Sequence, residues 1–176
     1  AWLQDKNGRC CQAALDMARS CEPRNIFPYR LDEIRVLKWA AGKGEDPKAK
    51  DLLACALYGH GHYEEAAGLW REATQLEPGS PLYLRNLAVA LFSHMERRDE
   101  AIALLERAAG LKEDNLQLMT EYLYAATKRG TPGEERLRAI EAHPVSGRKS
   151  DDFVLEHAKA CCIAGRYDDA LKVMLA

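Results

Sequence analysis

The sequence predicts an all-α fold, a right-handed α–α superhelix assembled from antiparallel helical hairpins, and three observations lead there. Apolar residues recur at helical spacing along most of the 176 residues, with no stretch of alternating apolar and polar residues that would mark a strand. A pattern of small and large apolar side chains returns every 34 or 35 residues. Glycines and prolines stand between the periodic stretches, where helices end and begin.

The repeat is legible residue by residue. Pro47 and Pro81 are separated by 34 positions, and Leu53, Ala54 and Leu57 return as Leu87, Ala88 and Leu91 at the same interval. At intervals of 35 they return again as Tyr122, Leu123 and Ala126, then as His157, Ala158 and Cys161. Second halves repeat as well: Ala66, Trp70 and Ala73 are answered by Ala101, Leu105 and Ala108, and by Ala170 and Met174. Alanine at these places lets antiparallel helices approach closely, while Leu, Trp, Tyr and Phe fill the gaps between hairpins. Gly61, Gly130 and Gly165 fit helix C-terminal positions, and Ser80-Pro81 and Thr131-Pro132 read as a cap followed by a first turn. These signals predict helices over 47–60, 63–76, 81–94, 98–111, 115–129, 133–142, 151–164 and 167–176.

Upstream, apolar residues at 10, 11, 14, 15 and 18, and Ile34, Leu37, Trp39 and Ala40 within 31–41, predict a degenerate hairpin over 1–45. The prolines of the intervening Cys21 to Tyr29 forbid a helix there. The remainder divides into units 46–80, 81–115, 116–150 and 151–176, expected to form one continuous solenoid with the N-terminal hairpin. The third unit is degenerate, with Glu135 where the pattern wants Ala, and the fourth is cut short.

Residues 47–80 carry the clearest unit: Leu53, Ala54, Leu57, Gly61, Tyr63, Ala66, Trp70, Ala73 and Pro78 resemble the tetratricopeptide repeat, with Ala54 for the usual Gly. That resemblance runs from Asp46 to the end of the chain and implies hairpins whose first helices line a concave, ligand-binding side. A narrower resemblance rests on Phe27-Pro28-Tyr29-Arg30-Leu31, Glu134-Glu135-Arg136-Leu137, Glu141-Ala142-His143-Pro144 and Gly165 to Ala170. These strings are similar to the helical region of a bacterial family in which such repeats follow a β-rich, carbohydrate-associated domain of unknown function. It implies an excised fragment, as do the missing initial Met and the stop at Leu175-Ala176.

Composition narrows the function classes. A net charge of −2, with acids and bases interspersed, leaves no basic stripe to track phosphates, so nucleic acid is not an expected partner. No apolar run reaches the roughly 20 residues that span a bilayer. The six cysteines, Cys10, Cys11, Cys21, Cys55, Cys161 and Cys162, lie inside helical patterns or, for Cys21, at the end of one, and read as free thiols of a cytoplasmic protein.

Catalytic chemistry finds little footing. Glu64-Glu65, Glu134-Glu135, Asp151-Asp152 and Asp168-Asp169 are neighbours that diverge by about 100° on a helix and suit first turns better than acid-base work. His60-Gly61-His62 falls in a turn without a third ligand, and the pair His157 and Cys161 sits at a core position of the repeat. No cofactor, metal or catalytic residue is expected.

Binding is expected instead on the first helices. Equivalent outward positions give Lys48, Asp51, Cys55 and Tyr58, then Arg85, Val89 and Phe92, then Thr120, Tyr124 and Lys128. Rigid aromatics beside cations suit an extended peptide, a helix or a neighbouring domain. The competing reading is that Tyr58 and Phe92 pack between hairpins. Only Arg85-Asn86 matches part of the set by which such repeats grip a chaperone's terminal carboxylate. The apolar Leu171, Val173, Met174 and Leu175 would suit cover by a following helix or a second copy, which makes a homodimer an alternative partner.

Overall fold

A computed structural model describes residues 2–7, 12–20, 28, 30–111, 115–144 and 150–175, and every regular element among them is an α-helix. In order these are α1 (Trp2–Lys6), α2 (Gln12–Ser20), α3 (Leu31–Ala41), α4 (Pro47–Gly59), α5 (Tyr63–Leu76), α6 (Pro81–His94), α7 (Arg98–Leu111), α8 (Leu116–Arg129), α9 (Gly133–Ala142), α10 (Asp151–Ile163) and α11 (Tyr167–Leu175). Two compact units are present, Ala1–Gly79 and Ser80–Ala176.

In the first unit α4 and α5 form a hairpin against which α3 packs. Ala54, Ala66, Ala67 and Ala73 are fully buried, and Leu53, Leu57 and Trp70 pack beside them. Pro47 opens α4 because its missing N–H would be unsatisfied there anyway, and the Asp46 side chain accepts from the amides of Lys48 and Ala49 at 3.1 and 3.2 Å. Asp46 also accepts from Arg19 Nε at 3.3 Å, which ties α2 to the start of α4. The short α1, absent from the sequence expectation, is anchored through Asp5, which accepts from Trp39 Nε1 at 2.7 Å and Lys43 Nζ at 3.1 Å. Cys21 to Tyr29, apart from Pro28, lie outside the described residues, as do Cys10 and Cys11.

In the second unit α6 pairs with α7, α8 stacks on α7, and α10 pairs with α11. Ala88, Ala101, Ala108 and Ala126 are fully buried at the crossings. The turns that end α4, α8 and α10 share one bond, from a backbone N–H to the carbonyl five residues earlier. His62 to Leu57, Thr131 to Ala126 and Arg166 to Cys161 all span 2.9 Å. Gly61, Gly130 and Gly165 precede or form these turns with φ of 83°, 86° and 75°. After α6 the inserted residue lengthens the loop: Arg97 N reaches back six positions to Leu91 O at 3.1 Å, and Glu96 is forced to a φ of 53°.

The third unit departs from the others. α9 lies against α10 and scarcely touches α8, while α10 packs on both. Counting from each second helix's first residue gives the reason. Tyr63 and Tyr167 open α5 and α11, with Ala66 and Ala170 three residues on; α9 opens with Gly133 and carries Arg136 at the alanine place. Arg136 is fully buried, yet its bulk holds α9 off α8. Gly133 in turn lets α9 close on α10: a Cβ there would stand 2.4 Å from Ala160 O and 2.5 Å from Ala164 N. Thr131-Pro132 is therefore not a cap followed by a first turn. Pro132 is itself the N-cap, with extended backbone, and Thr131 is buried in the preceding turn. Asn115 and Ser150 do cap α8 and α10, accepting from Leu118 N at 3.0 Å and Phe153 N at 3.3 Å.

Candidate functional site

Helices α4, α6, α8 and α10 are the first helices of the repeats, and the outward positions predicted to bind fall on α4 in the first unit and on α6 and α8 in the second.

On α4 the predicted residues serve the hairpin. Asp51 is 8% exposed, and its Oδ1 accepts from the buried indole N–H of Trp70 at 2.8 Å and from the thiol of Cys55 at 3.9 Å. Burial, with Asp51 beside it, pushes the Cys55 thiol up to about 12, which removes it as a nucleophile at neutral pH. Tyr58 stacks edge-on to Tyr63 at 5.2 Å and tilted to Trp70 at 5.7 Å, so it is a packing aromatic. Lys48 is half-buried and borders an open hollow with Arg19, Lys43 and Asp46.

The second unit offers a true surface. Tyr124 on α8 is 50% exposed, with Lys128 Nζ 5.5 Å above its ring one turn on. Phe92 on α6 is half-buried beneath Arg98, whose guanidinium stands 6.0 Å from the ring centre. Val89 is half-buried, and the Thr120 hydroxyl donates to Leu116 O at 2.7 Å. Arg85 does not stand free for an anion: its Nε donates to both oxygens of Glu121 at 3.0 and 2.7 Å, and its Nη2 to Oε1 at 2.7 Å. This fork joins α6 to α8 across 36 positions and was not anticipated from sequence. A hollow of about 250 Å³ opens beside it, lined by Pro81, Leu82, Arg85, Asn115, Gln117 and Leu118.

Behind this surface lies a second unanticipated network. Arg136 Nη1 donates to Thr127 Oγ1 at 2.6 Å, Thr127 lies 2.7 Å from Glu156 Oε2, and Lys159 Nζ donates to Glu156 Oε1 at 2.7 Å. Glu156 is 4% exposed. Burial lowers the Arg136 guanidinium from its usual range, against the opposing pull of Glu156 and Tyr122. Burial also pushes Tyr122 up to about 12, helped by Glu106 and Glu135.

These features outline stacked helical hairpins with small residues at the crossings and one face left partly open, and residues 47–80 match the family model described as "Tetratricopeptide repeat". The chain has a tetratricopeptide-like repeat fold. Solved structures agree over most of its length. A crystal structure of MamA is 18% identical with a TM-score of 0.63, covering 81% of this chain and 77% of that one. A second crystal structure of MamA, also 18% identical, has a TM-score of 0.59 and covers 80% and 82%. A putative kinesin light chain of Podosopora anserina with nearly identical TPR-like repeats is 16% identical, with a TM-score of 0.59 and coverage of 81% and 82%. At such identities the likeness speaks for the fold. No curated protein matches the sequence.

Within this tetratricopeptide-like frame the remaining candidates are structural. The acid pairs Glu64-Glu65, Glu134-Glu135, Asp151-Asp152 and Asp168-Asp169 occupy first helical turns, where the helix dipole favours them. Cys161 belongs to the core with Leu137, Ala158 and Ala170, and the His157 ring meets Phe153 edge-on at 5.9 Å. Among the described residues no three His, Cys, Asp or Glu converge as a metal site, and no helix is long and apolar enough to cross a membrane.

Proposed function

We propose that the chain is a non-catalytic scaffold that holds a polypeptide segment, from another protein or from a neighbouring domain, against the first-helix face of its tetratricopeptide-like repeats. The half-exposed Tyr124 under Lys128 carries this reading. A large exposed ring kept in place by a cation, on the same helix as two residues that line the open hollow, can bury area on a partner with little loss of side-chain entropy. The face to test is Arg85, Val89, Phe92, Thr120, Tyr124 and Lys128, with Lys48, Asp51 and Tyr58 on α4, of which Asp51 and Tyr58 also contact Trp70. Free Cys55, Cys161 and Cys162 support a reducing, cytoplasmic setting.

A photo-crosslinking residue at position 124, with position 103 on the opposite helix of the neighbouring hairpin as control, tests the reading in source lysate. A polypeptide captured at 124 and absent at 103 supports it. Equal capture at both, or none at 124, removes it.

The alternative, a structural arm of a larger carbohydrate-processing protein or a self-associating one, is favoured by one observation. Tyr167, Leu171, Met174 and Leu175 make an exposed apolar stripe along α11. Sedimentation of Leu171→Ser and Met174→Ser variants beside the parent distinguishes self-association, which the variants would weaken, from a single-chain arm, which they would not change.

A further inference from the structure

The charge of the hollow beside Arg85 bears on what it would bind, and an inference from it deepens the binding role just proposed and rests on it. Among the described residues its lining contains one ionised group, Arg85, and that charge is answered by Glu121 through three contacts of 2.7 to 3.0 Å. Gln117 Nε2 adds a fourth bond to Glu121 Oε1 at 3.1 Å and holds the carboxylate in place. The pair is only partly exposed, Arg85 by 32% and Glu121 by 26%, so solvent screens it less than a surface pair.

Beyond that pair the hollow offers a neutral set of polar groups. The Asn115 side-chain oxygen is taken by the Leu118 amide, which leaves its NH2 as donor, and Gln117 keeps its carbonyl as acceptor. The terminal nitrogens of Arg85 each retain an N–H beyond the bonds to Glu121 and Asn86. Donors and an acceptor without net charge match the C=O and N–H of a peptide backbone. Leu82, 50% exposed at the rim, and the wall of Pro81 offer apolar contact to one side chain.

At the equivalent place on the next first helix Glu156, 35 residues on, is buried and paired with Lys159 of its own helix at 2.7 Å, so it does not face an entering ligand. A carboxylate entering the hollow meets in Arg85 a cation already paired with Glu121, with the Glu121 carboxylate beside it.

We infer that Glu121 is a specificity-determining residue that tunes the α6–α8 hollow to an uncharged, extended peptide segment carrying an apolar side chain, and against acidic segments. Glu121→Gln keeps the shape and the contact with Gln117 but releases the Arg85 charge. Arg85→Gln with Glu121→Gln makes the site neutral again.

The probes are two sets of 12-residue peptides, acetylated and amidated so that no terminal charge enters. Both carry a central Leu or Phe, flanked in one set by Ser and Gln and in the other by Asp and Glu. Binding is read by fluorescence anisotropy after circular dichroism melts have matched the proteins. The parent should prefer the neutral set by about tenfold, Glu121→Gln should lose or reverse that preference, and the double variant should restore it. A parent that prefers acidic peptides, or a preference that Glu121→Gln leaves unchanged, overturns the inference while the binding role stands. Failure of every peptide in both sets to bind overturns the binding role with it.

Discussion

Gly133 offers the sharpest test of how the third repeat is built. An added methyl would lie 2.4 Å from Ala160 O, 2.5 Å from Ala164 N and 3.0 Å from Ala164 Cα, and all three are backbone atoms at the end of α10 that no rotamer change can move. Gly133→Ala thus sets two effects against each other. Helix propensity favours alanine by at most about 1 kcal/mol, and less at a helix's first position. Overpacking against fixed backbone costs about 1–3 kcal/mol, and here the upper end applies because α9 must retreat bodily. The net effect is a loss of about 1–2 kcal/mol, or about 4 °C in Tm for a chain of this length. Gly68→Ala is the control. It lies inside α5 with nothing within 4 Å of the new methyl, so propensity acts alone and stability should rise by about 1 kcal/mol. Urea and thermal melts followed by circular dichroism compare the two, and amide exchange in α9 and α10 locates the damage. If Gly133→Ala matches or exceeds the parent while Gly68→Ala rises, the close approach of α9 to α10 is not real.

Other predictions follow from single contacts. Arg136→Ala empties a fully buried site and removes the donor to Thr127, leaving Glu156 with Lys159 as its cation, so urea melts should show a loss of about 3 kcal/mol. Asp51→Ala leaves the buried Trp70 indole N–H without its acceptor and should cost about 1–3 kcal/mol in the same assay, at no gain in peptide binding. Glu96→Gly relieves a left-handed backbone and should raise stability by about 0.5–1 kcal/mol, net of the added freedom of the unfolded chain. Under native conditions a maleimide should modify Cys162 quickly. Cys55 should stay unmodified up to about pH 10, because its thiolate forms only near 12, and peptide mapping after denaturation and differential labelling reads both. Early labelling of Cys55 would place Asp51 and Trp70 wrongly.

Helix positions were legible because the alanines and leucines that make the crossings also make the period. Of the helices predicted from residue 47 onward, all but α8 start where the sequence put them, and α5, α6, α7 and α9 also end there. The five-residue α1 was not legible, being too short for any period to show. The third repeat was recognised as degenerate, but its inward register was read one residue early. Alignment on Gly130 puts Glu135 at the small-residue place, whereas helix register, which fixes what faces inward, puts Arg136 there. Asp51 could have been recognised as an internal acceptor, since a tryptophan in so apolar a setting needs a partner for its N–H. The fork between Arg85 and Glu121 had no such sign. Its partners lie on different helices, and spacing along the chain does not reveal which turns of two stacked helices come level.

The exchange of Gly133 and Arg136 also bears on modularity. In a regular array each hairpin is a cassette that can be deleted, duplicated or replaced by a consensus copy. Here α9 has given up its own hairpin partner for the helix of the following repeat, so a boundary drawn at residue 150 would separate α9 from the helix that supports it. Residues 116–175 behave as a double cassette. A consensus repair that restores Tyr at 133 and Ala at 136 would drive a ring into the end of α10 and hollow out the space beneath, so the irregular repeat can be exchanged only together with its successor.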